Sequence, residues 1–176
     1  MRAFARGVSA ALDIVARGAI GIAGVALVAM VLIVAWGVFG RFVLNDTPAW
    51  AEASALLLLA WVILGAAAAG VREGFHMGFD TLREVLPEPV ARLFRVLSDL
   101  VVTIFGAAMA WYGGDLALEV WNATLPTLGL PGTVEYLPLV MGGVLITLFG
   151  LERLLAHAVT GHAPGGMPDH TLLTDA

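Results

Sequence analysis

Apolar runs far longer than a core strand or a short surface helix succeed one another along this chain, separated by brief polar segments. A helix rises about 1.5 Å per residue, so about 20 mostly apolar residues cross a hydrocarbon core of about 30 Å. Gly18 to Gly40 holds 23 residues without a charge, and Ala53 to Val71 holds 19. The second run has a suitable start at Thr47 as N-cap and Pro48 as first helical residue. A third run, Leu93 to Trp121, contains Asp99 and Asp115; 16 residues of separation, about 24 Å of helix, places each near an opposite interface. The fourth extends from about Val134 to Leu155, with Glu152 and Arg153 snorkelling at its end. The pattern predicts an all-α integral membrane protein with spans at about 14–40, 48–71, 93–119 and 134–155 in a single domain, 1–159. Between the second and third spans, apolar positions from Phe79 to Leu97, interrupted by Pro87 and Pro89, predict a short amphipathic helix in the membrane interface. Residues 160–176, rich in Gly and Pro, read as a disordered tail.

Composition agrees with a membrane protein. Hydrophobic residues make up 60% of the 176, charged residues only 13%, and the mean hydropathy is +0.91. A soluble domain would carry roughly 25% charge. The first apolar run exceeds the ~7 to 15 residues of a signal-peptide core and lacks a cleavage site followed by polar sequence, so it reads as a true span. The net charge of −5 offers no basic face for nucleic acid, and the absence of Cys removes thiol catalysis, disulfides and iron–sulfur clusters. Arg2, Arg6, Arg17, Arg72, Arg83, Arg92, Arg95 and Arg153 fall on one predicted side and only Arg41 on the other. This bias predicts cytoplasmic N- and C-termini in a bacterial inner membrane. Trp50, Trp121 and Tyr136 then lie at outer ends, where their rings suit the headgroup layer.

Several function classes lose their expected residues. No span contains a His, which disfavours a haem-holding redox anchor. The first, second and fourth spans hold no midplane charge, and the carboxylates of the third sit near its ends, which disfavours a free-standing channel or exporter. No nucleotide loop, Ser-His-Asp set or metal-ligand spacing is present, so no enzymatic activity or cofactor is expected. Small residues recur as Gly18, Gly21 and Gly24, as Gly65 with Ala69 and Ala66 with Gly70, and as Gly106 with Ala110 and Gly114. They serve close helix packing, within the chain or against a partner subunit.

Two motifs add a resemblance. Gly40-Arg41-Phe42-Val43-Leu44-Asn45 is followed by Trp50-Ala51-Glu52, and Arg72-Glu73-Gly74-Phe75-His76-Met77-Gly78-Phe79-Asp80 follows the second span. Together with Leu128-Gly129-Leu130-Pro131 and Tyr136-Leu137-Pro138, they resemble the small, Q-type membrane subunit of tripartite ATP-independent periplasmic (TRAP) transporters over about Ile14 to Leu155. The resemblance implies a four-helix subunit that braces a large multi-span permease during sodium-driven uptake of an organic acid delivered by a periplasmic binding protein. It also implies that the sodium gradient is used by the permease and that this subunit holds no cofactor. Its motif residues are Arg41, Asn45, Trp50, Glu52, Arg72, Glu73, His76, Gly78, Asp80, Pro131, Tyr136 and Pro138, expected as subunit-interface or structural positions. Ala53 and Leu56 stand where the family often has a second Glu and an Arg.

Simpler readings accompany these residues. Arg41 at a helix C-terminus and Glu52 in a first turn each suit the local helix dipole; the alternative is pairing with each other or across a subunit interface. His76 suits a backbone-bonded loop position better than a metal site, having no companion ligands. Asp80 is either a helix cap or a partner contact. Trp111 and Tyr112 read as lipid-facing or packing residues.

Overall fold

A computed structural model describes residues 2–46, 48–73 and 88–160. Its elements are α1 (Arg2–Phe42), α2 (Ala49–Glu73), α3 (Glu88–Glu119) and α4 (Thr133–Thr160). Each contains a stretch long and apolar enough to cross a membrane: Leu12–Phe42, Ala49–Arg72, Arg92–Glu119 and Thr133–Leu155. The chain is a four-span, all-α membrane protein. Short connections force α1 and α2 into one antiparallel hairpin and α3 and α4 into another. One end of the molecule therefore holds both outermost helix ends, and is called here the terminal end. The other holds the two turns and is the loop end.

The four helices do not close into a bundle. α1 packs on α2, α2 on α4 and α4 on α3, giving a single layer in the order α1–α2–α4–α3 with α1 and α3 at its edges. The central helices supply the fully covered side chains: Ala68 on α2 and Phe149 on α4 are 0% exposed. Edge helices show apolar side chains outward, as Val25 and Leu32 on α1 and Ile104 and Trp111 on α3 do. In lipid that exposure carries little penalty, because hydrocarbon solvates these side chains as well as a protein interior does.

The seam between α3 and α4 is built on glycine. A Cβ at Gly143 would stand 2.6 Å from the Ala110 nitrogen and 2.8 Å from the Gly106 oxygen, and one at Gly106 would stand 2.7 Å from the Ile146 Cγ2. Backbone meets backbone there, so dispersion is gained over closely apposed surfaces. Gly65 plays a milder version of this part between α2 and α1, where an added Cβ would lie 3.2 Å from the Ala23 Cβ. Gly18, Gly21, Gly24, Gly70 and Gly114 have nothing within 4 Å of such a carbon, so Gly18, Gly21 and Gly24 of α1 do not serve close packing against the described residues of this chain.

One expected boundary shifts. Val90, Leu93, Phe94 and Leu97 belong to the opening turns of α3, continuous with the third span, and not to a separate interfacial helix. Pro89 sits in the first turn, where its missing N–H interrupts no helical bond; residues 79–87 lie outside the described residues. The fourth helix continues to Thr160, and the expected tail beyond it also lies outside them.

Candidate functional site

The turn motifs explain themselves at the loop end. α1 ends where the Val43 N–H donates to the Phe39 carbonyl (2.8 Å) and the chain folds back so that the Asp46 N–H reaches the Gly40 carbonyl (3.1 Å). A Cβ at residue 40 would lie 2.9 Å from the Asp46 oxygen, so only glycine allows this approach. Asn45 adopts φ 52°, a left-handed conformation that Asn tolerates better than most residues. The spacing of Gly40 and Asn45 is thus the geometry of one tight turn. The second connection works similarly: Thr124 and Pro131 face each other in a short antiparallel bridge, the Leu125 N–H donates to the Leu130 carbonyl (2.8 Å), and Gly129 turns the chain with φ 65°. The Thr133 hydroxyl donates to the Ala117 carbonyl (2.8 Å), fastening the start of α4 to α3.

Other predicted positions divide. Arg41 and Glu52 are both exposed. The Arg41 guanidinium lies over the Phe42 ring at 5.8 Å, and among the described residues it forms no ion pair with Glu52. Trp50 is 42% exposed and Tyr136 half-buried at the loop end. Pro138 is fully buried inside α4. Glu73 ends α2, whereas His76, Gly78 and Asp80 lie outside the described residues. Arg72, expected beyond the second span, is in the last turn of α2 and turned inward.

Arg72 leads to the most polar feature of the molecule. At the terminal end its guanidinium donates to Asp13 of α1 and, from Nε at 3.3 Å, to Glu152 of α4. It also stands over the ring of Phe149, 5.7 Å from the centroid. Next to it Arg153 donates from Nε to Asp99 of α3 (3.0 Å) and from one terminal nitrogen to the Val71 carbonyl (3.2 Å). Arg153 is 8% and Asp99 2% exposed. The Thr103 hydroxyl donates to the Asp99 carbonyl at 2.6 Å, one turn along α3. Two guanidiniums and three carboxylates thereby join all four helices, across the whole width of the layer.

This network lies just inside the edge of the spans. Asp99 is seven residues, about 10 Å of rise, deeper than the exposed Arg92 on the same helix. Charges at such depth are costly unless they are paired and hydrogen-bonded. Pairing here is between helices, each carboxylate meeting a guanidinium of another helix, so the chemistry of these groups is spent on holding helices together. Sequence reasoning counted these residues as markers of the membrane edge. A signal was nonetheless present: acids on the first and third spans and arginines on the second and fourth fall at matching depth, opposite in sign within each hairpin.

Comparisons with known proteins agree with this architecture. The family model described as tripartite ATP-independent periplasmic transporters, DctQ component, matches residues 30–160. A C4-dicarboxylate TRAP transporter small permease protein, DctQ, of Rhodobacter capsulatus is 33% identical over 117 residues, 65% of this chain and 52% of that protein. The chain thus aligns with about half the length of that relative. A sialic acid TRAP transporter small permease protein, SiaQ, of Vibrio cholerae is 29% identical over 129 residues, 73% of this chain and 74% of that protein.

Proposed function

This chain belongs to the DctQ-component family of tripartite ATP-independent periplasmic transporters, and from that premise we propose that it is the small membrane subunit that braces a large permease. In this reading the permease moves the substrate and uses the sodium gradient, and a periplasmic binding protein delivers an organic acid. The small subunit contributes an apolar layer and no ion or substrate site of its own. The carrying observation is the terminal-end network: each of its charged groups is paired with an opposite charge on another helix, so its carboxylates are engaged by arginines instead of being offered to a transported ion. The open order α1–α2–α4–α3 supports the same reading, since among the described residues the helices form a layer with α1 and α3 at its edges and not a ring around a central pathway. Relatives named for C4-dicarboxylate and sialic acid support an organic acid as cargo.

Both termini are cytoplasmic in this reading, and the membrane is the bacterial inner membrane, because arginine favours the cytoplasmic side. Reconstitution provides the test. Vesicles holding this chain alone should show no sodium-dependent organic-acid uptake; vesicles that also hold the permease, with the binding protein added, should show it. Sodium-driven flux through this chain alone would overturn the proposal.

A further inference from the structure

Within each hairpin, helix contacts continue over most of the span: α1 meets α2 from Asp13–Arg72 to Gly37–Ala51, and α3 meets α4 from Asp99–Arg153 to Gly113–Leu139. Among the described residues the two hairpins meet chiefly where α2 lies along α4. Polar bonding along that junction is one-sided. Hydrogen bonds and ion pairs join the hairpins at the terminal end, where Arg72 reaches Glu152 and Arg153 reaches the Val71 carbonyl. Farther along, the junction is apolar, with Leu64 against Gly142 at mid-span. We propose that the terminal-end network is a pivot: Arg72 and Arg153 fix the α1/α2 hairpin to the α3/α4 hairpin there, and the loop ends swing apart and together about it.

The physical basis is the difference between the two kinds of contact. Apolar side chains separated in hydrocarbon find lipid tails of the same polarity, so opening the loop end loses only local packing. Separating the terminal end would leave guanidiniums and carboxylates unpaired in a medium of low dielectric, where charge-assisted bonds are directional and strong. A small rotation about the network keeps those bonds; a displacement at the network breaks them. Phe149, fully buried beneath the Arg72 guanidinium, gives the pivot a rigid floor. Arg72 and Arg153 are therefore positioning residues, which set the angle at which the layer presents its faces.

The absence of Cys lets spin labels be placed at will on the full chain in lipid nanodiscs. One pair reports the terminal end, Ile14→Cys with Leu155→Cys, both outward-facing. Another reports the loop end, Asn45→Cys with Asn122→Cys, both exposed. Double electron–electron resonance should give a narrow distance distribution for the first pair and one about twice as wide or more for the second. Arg72→Gln and Arg153→Gln should each widen the terminal-end distribution to match the loop end, and Arg153→Lys, which retains the charge, should keep it narrower than Arg153→Gln does. Equal widths at the two ends of the unsubstituted network would overturn the pivot, and that comparison needs no network variant to fold. A terminal-end width unchanged by either Gln variant, or Arg153→Lys behaving like Arg153→Gln, would overturn it as well.

Discussion

The two hairpins are made of the same residue types and satisfy them differently. In α3/α4, glycine faces backbone, Asp99 is covered, and the connecting loop is hydrogen-bonded to itself and to the helices it joins. In α1/α2, Gly18, Gly21 and Gly24 of the first helix face open space, Asp13 is half-exposed, and the turn leaves Phe42, Val43 and Leu44 at 78%, 64% and 55% exposure. One hairpin is closed upon itself. The other carries a surface that no described residue covers, and in the function proposed above that surface is the one left for the permease. Small residues in a membrane helix therefore do not reveal by themselves whether they pack within or between chains; their open or covered surroundings decide.

The sharpest way to break this contrast is to remove the matching carboxylate from each hairpin. Asp99→Asn leaves the buried Arg153 without its charged partner, and stranding a buried charge costs about 3 to 5 kcal/mol. Asp13→Asn removes a partner from Arg72 that is half-exposed, and Arg72 retains Glu152. Thermal unfolding of the purified chain in detergent should fall steeply for the first variant and only slightly for the second. Equal losses would show that the two hairpins depend on the network alike.

A glycine comparison is expected to be smaller. Gly143→Ala forces a Cβ into backbone atoms of α3 and should destabilise by about 1 to 3 kcal/mol, the usual range for overpacking. Gly21→Ala meets nothing within 4 Å and should leave the unfolding temperature of the isolated chain level or slightly raised, since Ala is the better helix former. Replacing Gly21 with Leu then sharpens the contrast: the isolated chain should stay intact while co-purification with the permease falls. Undiminished co-purification would remove the open face of α1 from the proposed interface.

What the sequence could and could not disclose follows the same division. Uncharged runs disclose helices because lipid imposes a length and forbids unpaired backbone within it, and α1 through α4 fall where those runs are. The turn motif from Gly40 to Asn45 was legible as a motif, and its cause, a close backbone approach and one left-handed residue, needed coordinates. Arg72, Asp99, Glu152 and Arg153 read correctly as residues near the ends of their spans, but a charge near the end of an apolar run looks the same whether it turns toward water or toward another helix. Deciding between them requires the neighbour relation α1–α2–α4–α3, which joins residues up to 82 positions apart and leaves no local trace.

The smallest effect is expected at Arg41 and Glu52, on the open hairpin. Each suits its helix terminus electrostatically, and the Arg41 guanidinium already rests over the Phe42 ring. With both side chains exposed and no bridge between them among the described residues, Arg41→Gln and Glu52→Gln should each change the stability of the isolated chain by no more than about 1 kcal/mol, the range of exposed charge interactions. Their double variant should equal the sum, because residues without a direct interaction do not couple. A coupling above about 1 kcal/mol in the isolated chain would mean that the two form a clasp in the membrane, and the α1/α2 turn would then be as self-satisfied as the α3/α4 loop. If instead the isolated chain shows additivity while either single variant lowers retention of the permease, the charges belong to a contact between subunits. Additivity with full retention would leave both residues as partners of their own helix dipoles, and the open surface of this hairpin would then be an apolar one, carried by α1 and its exposed turn.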